Sequence, residues 1–330
     1  MSLHPPAATP APATASPAIE LRAWRQFVAV AEELHFGRAA QRLHMTQPPV
    51  TQAIAQMERT LGVRLFDRTR RRVALTPAGE ALLPEVRELL ARAQALPARA
   101  QAAAAGEVGR VRLAFVSTVG FERLPTWVRE FHAQSPGVAL ELVEATGDVQ
   151  LEAFARGEID AGLMLHSPGQ APASLASLAV GVEPLVLAMP TQHPLARARA
   201  PELAQLLEQP LVMFPRRILP SLHDAVFGLY QRHGRAPQVA QEAIQMQTIV
   251  NLVWGGLGMA WVPESVTSFR RAGVVYRPAA DFVAGTAGMG RRRGPAGIQF
   301  PACETSLVWP AGDVAPALAR FVEFVRGRSR

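Results

Sequence analysis

Phe36-Gly37-Arg38-Ala39-Ala40-Gln41-Arg42-Leu43-His44-Met45-Thr46-Gln47-Pro48-Pro49-Val50-Thr51-Gln52 carries the clearest structural signal in this chain. Gly37 to Leu43 predicts a short helix with Ala39, Ala40 and Leu43 on its apolar side. Only His44 and Met45 separate it from Thr46, the expected N-cap of a helix in which Val50, Ile54, Met57 and Leu61 form a stripe. Gly62 then marks its end. Two short helices joined this tightly read as a helix-turn-helix. Gln47, Pro48 and Pro49 would fill the first turn, where an amide has no intrahelical partner and proline is tolerated. The prolines also remove amides that the Thr46 hydroxyl would accept from, which leaves that hydroxyl for something outside the protein.

Upstream, Phe27, Val30, Ala31 and Leu34 recur at helical spacing and predict one buried face of a preceding helix. Downstream, Val63, Leu65 and Phe66 lead into Asp67-Arg68-Thr69-Arg70-Arg71-Arg72, and Val73, Ala74 and Leu75 follow. Two short apolar runs around a basic turn predict a hairpin, the wing of a winged helix-turn-helix. Between Glu20 and Leu75 ten arginines face five acids, a net +5 out of +7 for the whole chain. A basic segment of this pattern points to nucleic acid. Every basic residue in the chain is arginine.

Thr76-Pro77 opens a longer helix. Leu82, Val86, Leu89, Ala93, Leu96 and Ala100 step by fours and threes, a seam suited to self-association through residues 77–105. Pro84 and Pro97 predict kinks in it, and Gly106 to Gly109 a hinge. From Arg110 strand and helix patterns alternate as far as Val262, which predicts α/β layers with mostly parallel sheets. Ligands in such layers bind beyond the carboxyl ends of strands, against helix N-termini.

Composition narrows the class. Of 330 residues, 49% are apolar and 18% charged. The most apolar stretch, Ile249 to Val262, is interrupted by Asn251, Gly255, Gly256 and Gly258, so no membrane span is expected. The lone Cys303 has no disulfide or metal partner, which favours a reducing compartment. Residues 1–19, rich in proline and alanine, lack the basic start and apolar run of a secretory signal and read as a disordered tail. No nucleophile elbow, phosphate loop or metal-spaced cluster argues for an enzyme. A transported-solute binding protein is the competing reading of the residues after Arg110, but it does not account for the winged helix in front.

Phe36 to Ala40, Leu43 to Thr51, Leu61-Gly62-Val63-Arg64-Leu65-Phe66-Asp67-Arg68 and Leu75-Thr76-Pro77-Ala78-Gly79 together closely resemble the LysR-type transcriptional regulators. Ile159-Asp160-Ala161-Gly162 and Gly255 to Val262 are similar to that family's effector domain. The resemblance implies an N-terminal all-α winged helix-turn-helix and a C-terminal α/β domain of two lobes, like a periplasmic binding protein. The expected boundaries are 20–75 for the DNA-binding domain, 76–109 for the linker helix and hinge, and 110–330 for the effector domain. Its second lobe would span about 185–275 and an insertion about 282–300. The implied partners are double-stranded DNA carrying an inverted repeat, further copies of the chain in a homotetramer, and RNA polymerase. Neither a metal nor a cofactor is implied beyond a small-molecule inducer.

By position, the resemblance places Thr46, Gln47, Pro48, Thr51 and Gln52 near bases and phosphates, with Arg68 and Arg70 in the wing. Gln56 reads equally well as a further contact or as a solvated residue. Many relatives carry arginine where this chain has Gln52, so its half-site is expected to differ. For the inducer, the resemblance points to Ser117, Thr118 and Thr146 in one lobe and to Phe214, Pro215, Arg216, Gln245, Met246 and Gln247 in the other. Ser117 and Thr118 also fit as caps of the next helix. The nearest flavour is the branch responding to aromatic acids or muconates, although an arginine expected after Ala161-Gly162 is replaced by Leu165-His166. Gly285 to Gly297, with Arg291-Arg292-Arg293, is expected as an exposed insertion, a tolerated loop or an extra DNA or subunit contact.

Overall fold

The computed structural model describes residues 18–68, 72–121, 123–282 and 299–329. Most of the N-terminal tail, Arg70 and the arginine-bearing insertion lie outside the described residues. The chain divides into two compact units that meet in sequence between Ala100 and Gln101.

The first unit begins with three helices, α1 (Leu21–Glu33), α2 (Phe36–Arg42) and α3 (Gln47–Leu61). Phe27, Val30 and Ala31 are buried, as the α1 periodicity requires. Leu34 departs from expectation: it is the left-handed C-cap of α1 (φ 47°) and is 43% exposed. The chain must reverse at once into α2, where the His35 ring accepts hydrogen bonds from the Gly37 and Arg38 amides, so Leu34 turns out of the face. Ala39, Ala40, Val50, Ile54 and Met57 complete this core, with Phe27 and Phe36 both packed on Phe66. Leu61, at the frayed end of its stripe, is 37% exposed. The wing is a hairpin of β1 (Phe66–Arg68) and β2 (Val73–Leu75). Thr76 then caps α4 (Pro77–Ala104), accepting from the Gly79 amide and donating to the Arg64 carbonyl. The helix continues through Pro84 and Pro97. Val86 and Leu90 are buried against the core of this three-helix unit, whereas Leu89 and Leu96 are 44% and 60% exposed.

In the second unit, β3 (Gly109–Phe115) is followed by a 3-10 turn at Ser117–Phe121 and by α5 (Arg123–Gln134). Next come β4 (Val138–Glu144), α6 (Gly147–Ala155), β5 (Ala161–His166) and the long β6 (Leu175–Pro190). Short α7 (Pro194–Arg197) and α8 (Leu203–Leu206) precede β7 (Leu211–Met213), α9 (Pro220–Arg232), β8 (Val239–Glu242) and α10 (Met246–Trp254). The chain ends with β9 (Ala260–Pro263), a 3-10 turn at Glu264–Ser268, β10 (Val274–Pro278), β11 (Ala302–Pro310) and α11 (Pro316–Arg326).

The main sheet has the order β10-β6-β11-β5-β3-β4, with β9 also on β6. It is mixed, which corrects the mostly parallel arrangement expected from the alternation. β3 runs parallel to β4 and β5, but β11 is antiparallel to β5 and β6, and β6 is antiparallel to β9 and β10. The cause is β6, which crosses from one lobe to the other. Its residues 175–184 pair with β11, and residues 185–190 pair with β9 and β10. Within α11, Phe321 packs edge-on against Phe131 of α5 and closes the first lobe.

Asp160, in the motif before β5, ties that strand to β3. Its carboxylate accepts from the Arg112 amide at 2.8 Å, from Nε at 3.1 Å and from Nη2 at 2.6 Å. Burial acts to raise the carboxyl pKa, but the Arg112 bonds outweigh it and hold the group below its ordinary value. A depressed folded pKa gives stability that is complete above the unfolded value near 4 and lost as pH falls through the folded one. Asp160→Asn is therefore expected to cost about 1–2 kcal/mol near neutrality. In thermal denaturation the gap from the parent protein should close as pH falls below about 4.

Candidate nucleic-acid interface and ligand cleft

On α3, burial of Val50, Ile54 and Met57 turns the opposite face outward. Thr46, Gln47, Pro48, Gln52 and Gln56 are exposed, and Thr51 is half-buried. Pro48, Gln52 and Gln56 follow one another at i, i+4 and i+8 and so line one edge of the helix. The Thr46 side chain makes no capping bond, as the double proline leads one to expect. Thr51 Oγ1 donates to the Gln47 carbonyl, and Gln56 Oε1 accepts from Arg59. A protruding helix edge of hydroxyls and carboxamides can offer both donors and acceptors to base edges.

The wing is anchored rather than loose. Glu58 of α3 accepts from the Leu65 and Phe66 amides at 2.9 and 3.1 Å through Oε1, and from Arg68 Nη2 at 2.9 Å through Oε2. The Arg68 guanidinium also lies 4.8 Å from the centre of the Phe36 ring, and its side chain is 34% exposed. Arg68 thus sits at the wing as expected, but on a carboxylate and an aromatic face. Sequence reasoning missed Glu58. An acid on α3 followed ten residues later by an arginine is the signal that could have found it. Glu32 plays a similar part for the helices, pairing with Arg42 of α2 and Arg87 of α4. The Arg87 hydrogen bond, reinforced by Arg42, keeps its carboxyl below the usual range.

In the second unit a cleft separates the two lobes. Ser117, Thr118, Thr146 and the carboxylate-bearing Glu144 line it from one side, and Gln245 and Met246 from the other, together with Leu165, Ile218, Leu219 and Ile244. Thr146 is the N-cap of α6 and Gln245 that of α10, and neither side chain caps its own helix. Two helix N-termini therefore open on one space, an arrangement favourable to an anion. Thr146 Oγ1 donates to Asp148, while Thr118 Oγ1 is buried without a partner among the described residues. Outside the cleft lining, an Arg217–Asp148 ion pair of 3.5 Å and two hydrogen bonds between Ser167 and Ser221 also tie the lobes together. The cleft holds about 30 Å³, room for a water or two.

Phe214, Pro215, Arg216 and Gln247 do not line this cleft. Phe214 is buried in the second lobe against His223. Arg216 is exposed and held by both oxygens of Asp224 at 2.7 Å. That guanidinium, assisted by His223, depresses the Asp224 carboxyl to about 2. Gln247 faces an open apolar hollow beside Phe115, Phe121 and Leu124, which Ser117 also borders. His166 does not line the cleft, and its Nδ1 lies 2.8 Å from the Ser167 carbonyl.

Two family profiles match the chain. "Bacterial regulatory helix-turn-helix protein, lysR family" covers residues 21–80, and "LysR substrate binding domain" covers residues 104–330. The HTH-type transcriptional regulator IlvR of Caulobacter vibrioides is 42% identical over 93% of this chain and 97% of its own length. The Hca operon transcriptional activator HcaR of Escherichia coli is 33% identical over 94% of this chain and 98% of its own. Among solved structures, full-length CbnR complexed with its target DNA matches with a TM-score of 0.73 and 29% identity, over 94% of this chain and all of that one.

Proposed function

The chain belongs to the LysR family of transcriptional regulators, and from that premise we propose which of its residues read DNA and what its cleft senses. The α3 edge enters the major groove of an inverted repeat, with Gln52 and Gln56 at base edges and Thr46, Gln47, Pro48 and Thr51 at bases and phosphates. Glutamine suits adenine, whose N6 and N7 it can bond at once. Arg68 and Arg70 follow the backbone beside it. The observation that carries this reading is the outward-facing polar edge of α3, with its uncommitted Thr46 hydroxyl. Copies pair through residues 77–105, where Leu89 and Leu96 stand exposed, and two such pairs make a homotetramer in the cytoplasm.

The cleft takes a small carboxylate. The converging starts of α6 and α10 favour a negative charge, while Leu165, Ile218 and Leu219 supply an apolar wall. An aromatic or muconate-type acid fits that combination when its charge sits on the helix starts, away from Glu144, since no arginine lines the cleft to reinforce it. A space of about 30 Å³ is too small for such a molecule, so the inducer selects a different arrangement of the lobes. A differential affinity corresponding to about 1–3 kcal/mol then changes the bend of the DNA and the contact with RNA polymerase.

Fluorescence anisotropy on duplex DNA from upstream of the protein's own gene tests the DNA assignment. Specific binding should survive excess unrelated DNA and weaken steeply with salt. Gln52→Ala should weaken the specific complex about tenfold and leave nonspecific binding unchanged. Equal loss of both would move Gln52 from base recognition to the backbone.

A further inference from the structure

A second cavity, of about 330 Å³, shares only Thr118 with the cleft. Its charges are arranged in an unusual way. Arg123, at the start of α5, lays its guanidinium on β6 at Gly181, where a Cβ would come within 2.6 Å of both Nη1 and Nη2. Any side chain at that position would push the guanidinium away. The β6–β11 register slips there, with Gly181 opposite Thr305 and Ala179 opposite Ser306, so Val180 is the extra residue of a bulge. Its carbonyl accepts from Arg123 Nη1 at 3.0 Å. Bulge and glycine together seat one cation on the cavity wall.

Two carboxylates face the same space. Glu183 lies two residues beyond Gly181, on the same side of the strand, and is fixed by the Ser265 amide at 2.6 Å and the Ser265 hydroxyl at 3.1 Å. Glu264, on the second lobe, has no hydrogen bond or ion pair among the described residues. Arg123 pairs with neither acid. Thr118, only 4% exposed, brings a hydroxyl without a partner to the same lining. A simple anion would meet two carboxylates, and a bare metal ion would meet the guanidinium. A ligand with both charges, held a short distance apart, satisfies every group.

We propose that this cavity binds a zwitterionic α-amino acid, its carboxylate on Arg123 and the Thr118 hydroxyl and its ammonium on Glu183 and Glu264. The site is separate from the inducer cleft and goes beyond the reading given for it. Its walls come from both lobes and from the strand that joins them, so an occupant bears on the same lobe arrangement as the inducer.

Isothermal titration calorimetry of the full-length protein decides the matter, with glycine, L-alanine, L-valine and L-leucine as probes. Each is compared with its des-amino acid and its decarboxylated amine. At least one amino acid should bind about tenfold or more tightly than both of its analogues. Glu264→Gln, on an exposed turn, and Arg123→Gln, verified as folded by circular dichroism, should each weaken that binding about tenfold or more. Thr146→Val, in the cleft, should leave it unchanged. The proposal is overturned if no amino acid binds more tightly than about 1 mM, if a des-amino acid binds as well, or if Glu264→Gln has no effect. Loss of binding in Thr146→Val with retention in Glu264→Gln would assign the ligand to the cleft and equally overturn it.

Discussion

Glu58→Ala is expected to destabilise the DNA-binding unit by about 2–3 kcal/mol and to weaken DNA binding by more than tenfold. The carboxylate satisfies the Leu65 and Phe66 amides, and those residues are 0% and 1% exposed. Removing it leaves two amides in a setting that water reaches poorly, and the cost of one such orphan is about 1–3 kcal/mol. Arg68 loses its anchor at the same time, so the wing no longer holds a fixed position beside α3. Glu58→Gln keeps one acceptor oxygen and should cost less than half as much. Arg68→Ala alone should leave the fold intact and lower DNA affinity only several-fold, because its side chain is 34% exposed and its pairing energy is screened. Thermal denaturation and anisotropy on the three variants check the order. Equal melting temperatures for Glu58→Ala and Arg68→Ala would show that the two amides find another partner.

Thr118→Val should separate stability from response. The Thr118 hydroxyl is buried without a hydrogen bond, so an isosteric valine removes a desolvated polar atom and keeps the packing. The variant should be as stable as the parent, or up to about 1 kcal/mol more stable, with unchanged basal DNA binding. Its response to inducer in a reporter assay should nevertheless be abolished. A threonine kept only for structure would give the opposite pattern, with a lower melting temperature and normal induction.

The helix-turn-helix was legible because apolar periodicity, a glycine stop and a double proline all act over a few residues. What tightens it was not, since the Glu58 and Glu32 pairings join elements whose approach depends on the finished core. In the cleft, Ser117, Thr118, Thr146, Gln245 and Met246 do come together, because residues that follow a strand or start a helix are carried to the same rim. Phe214 and Arg216 do not. A phenylalanine at a strand end can turn into its own lobe, and an arginine eight residues before an aspartate can close on it across a turn. The strands β10 and β11 and the helix α11 lay beyond the last alternation that the pattern resolved. Like β9, those two strands run antiparallel to β6, the crossing strand that leaves the sheet mixed.

The strand common to both lobes limits the form a signal can take. Pro184 stands where β6 changes partners, and proline offers no amide to either ladder. Sliding the lobes apart would break rows of backbone bonds on both sides of that residue, whereas torsion about it breaks few. A ligand that shifts the lobes is therefore expected to change the angle between them more than their separation. A partner copy held at the far end of either lobe feels that angle multiplied by its lever arm, so subunits clamped near the pivot would hear almost nothing.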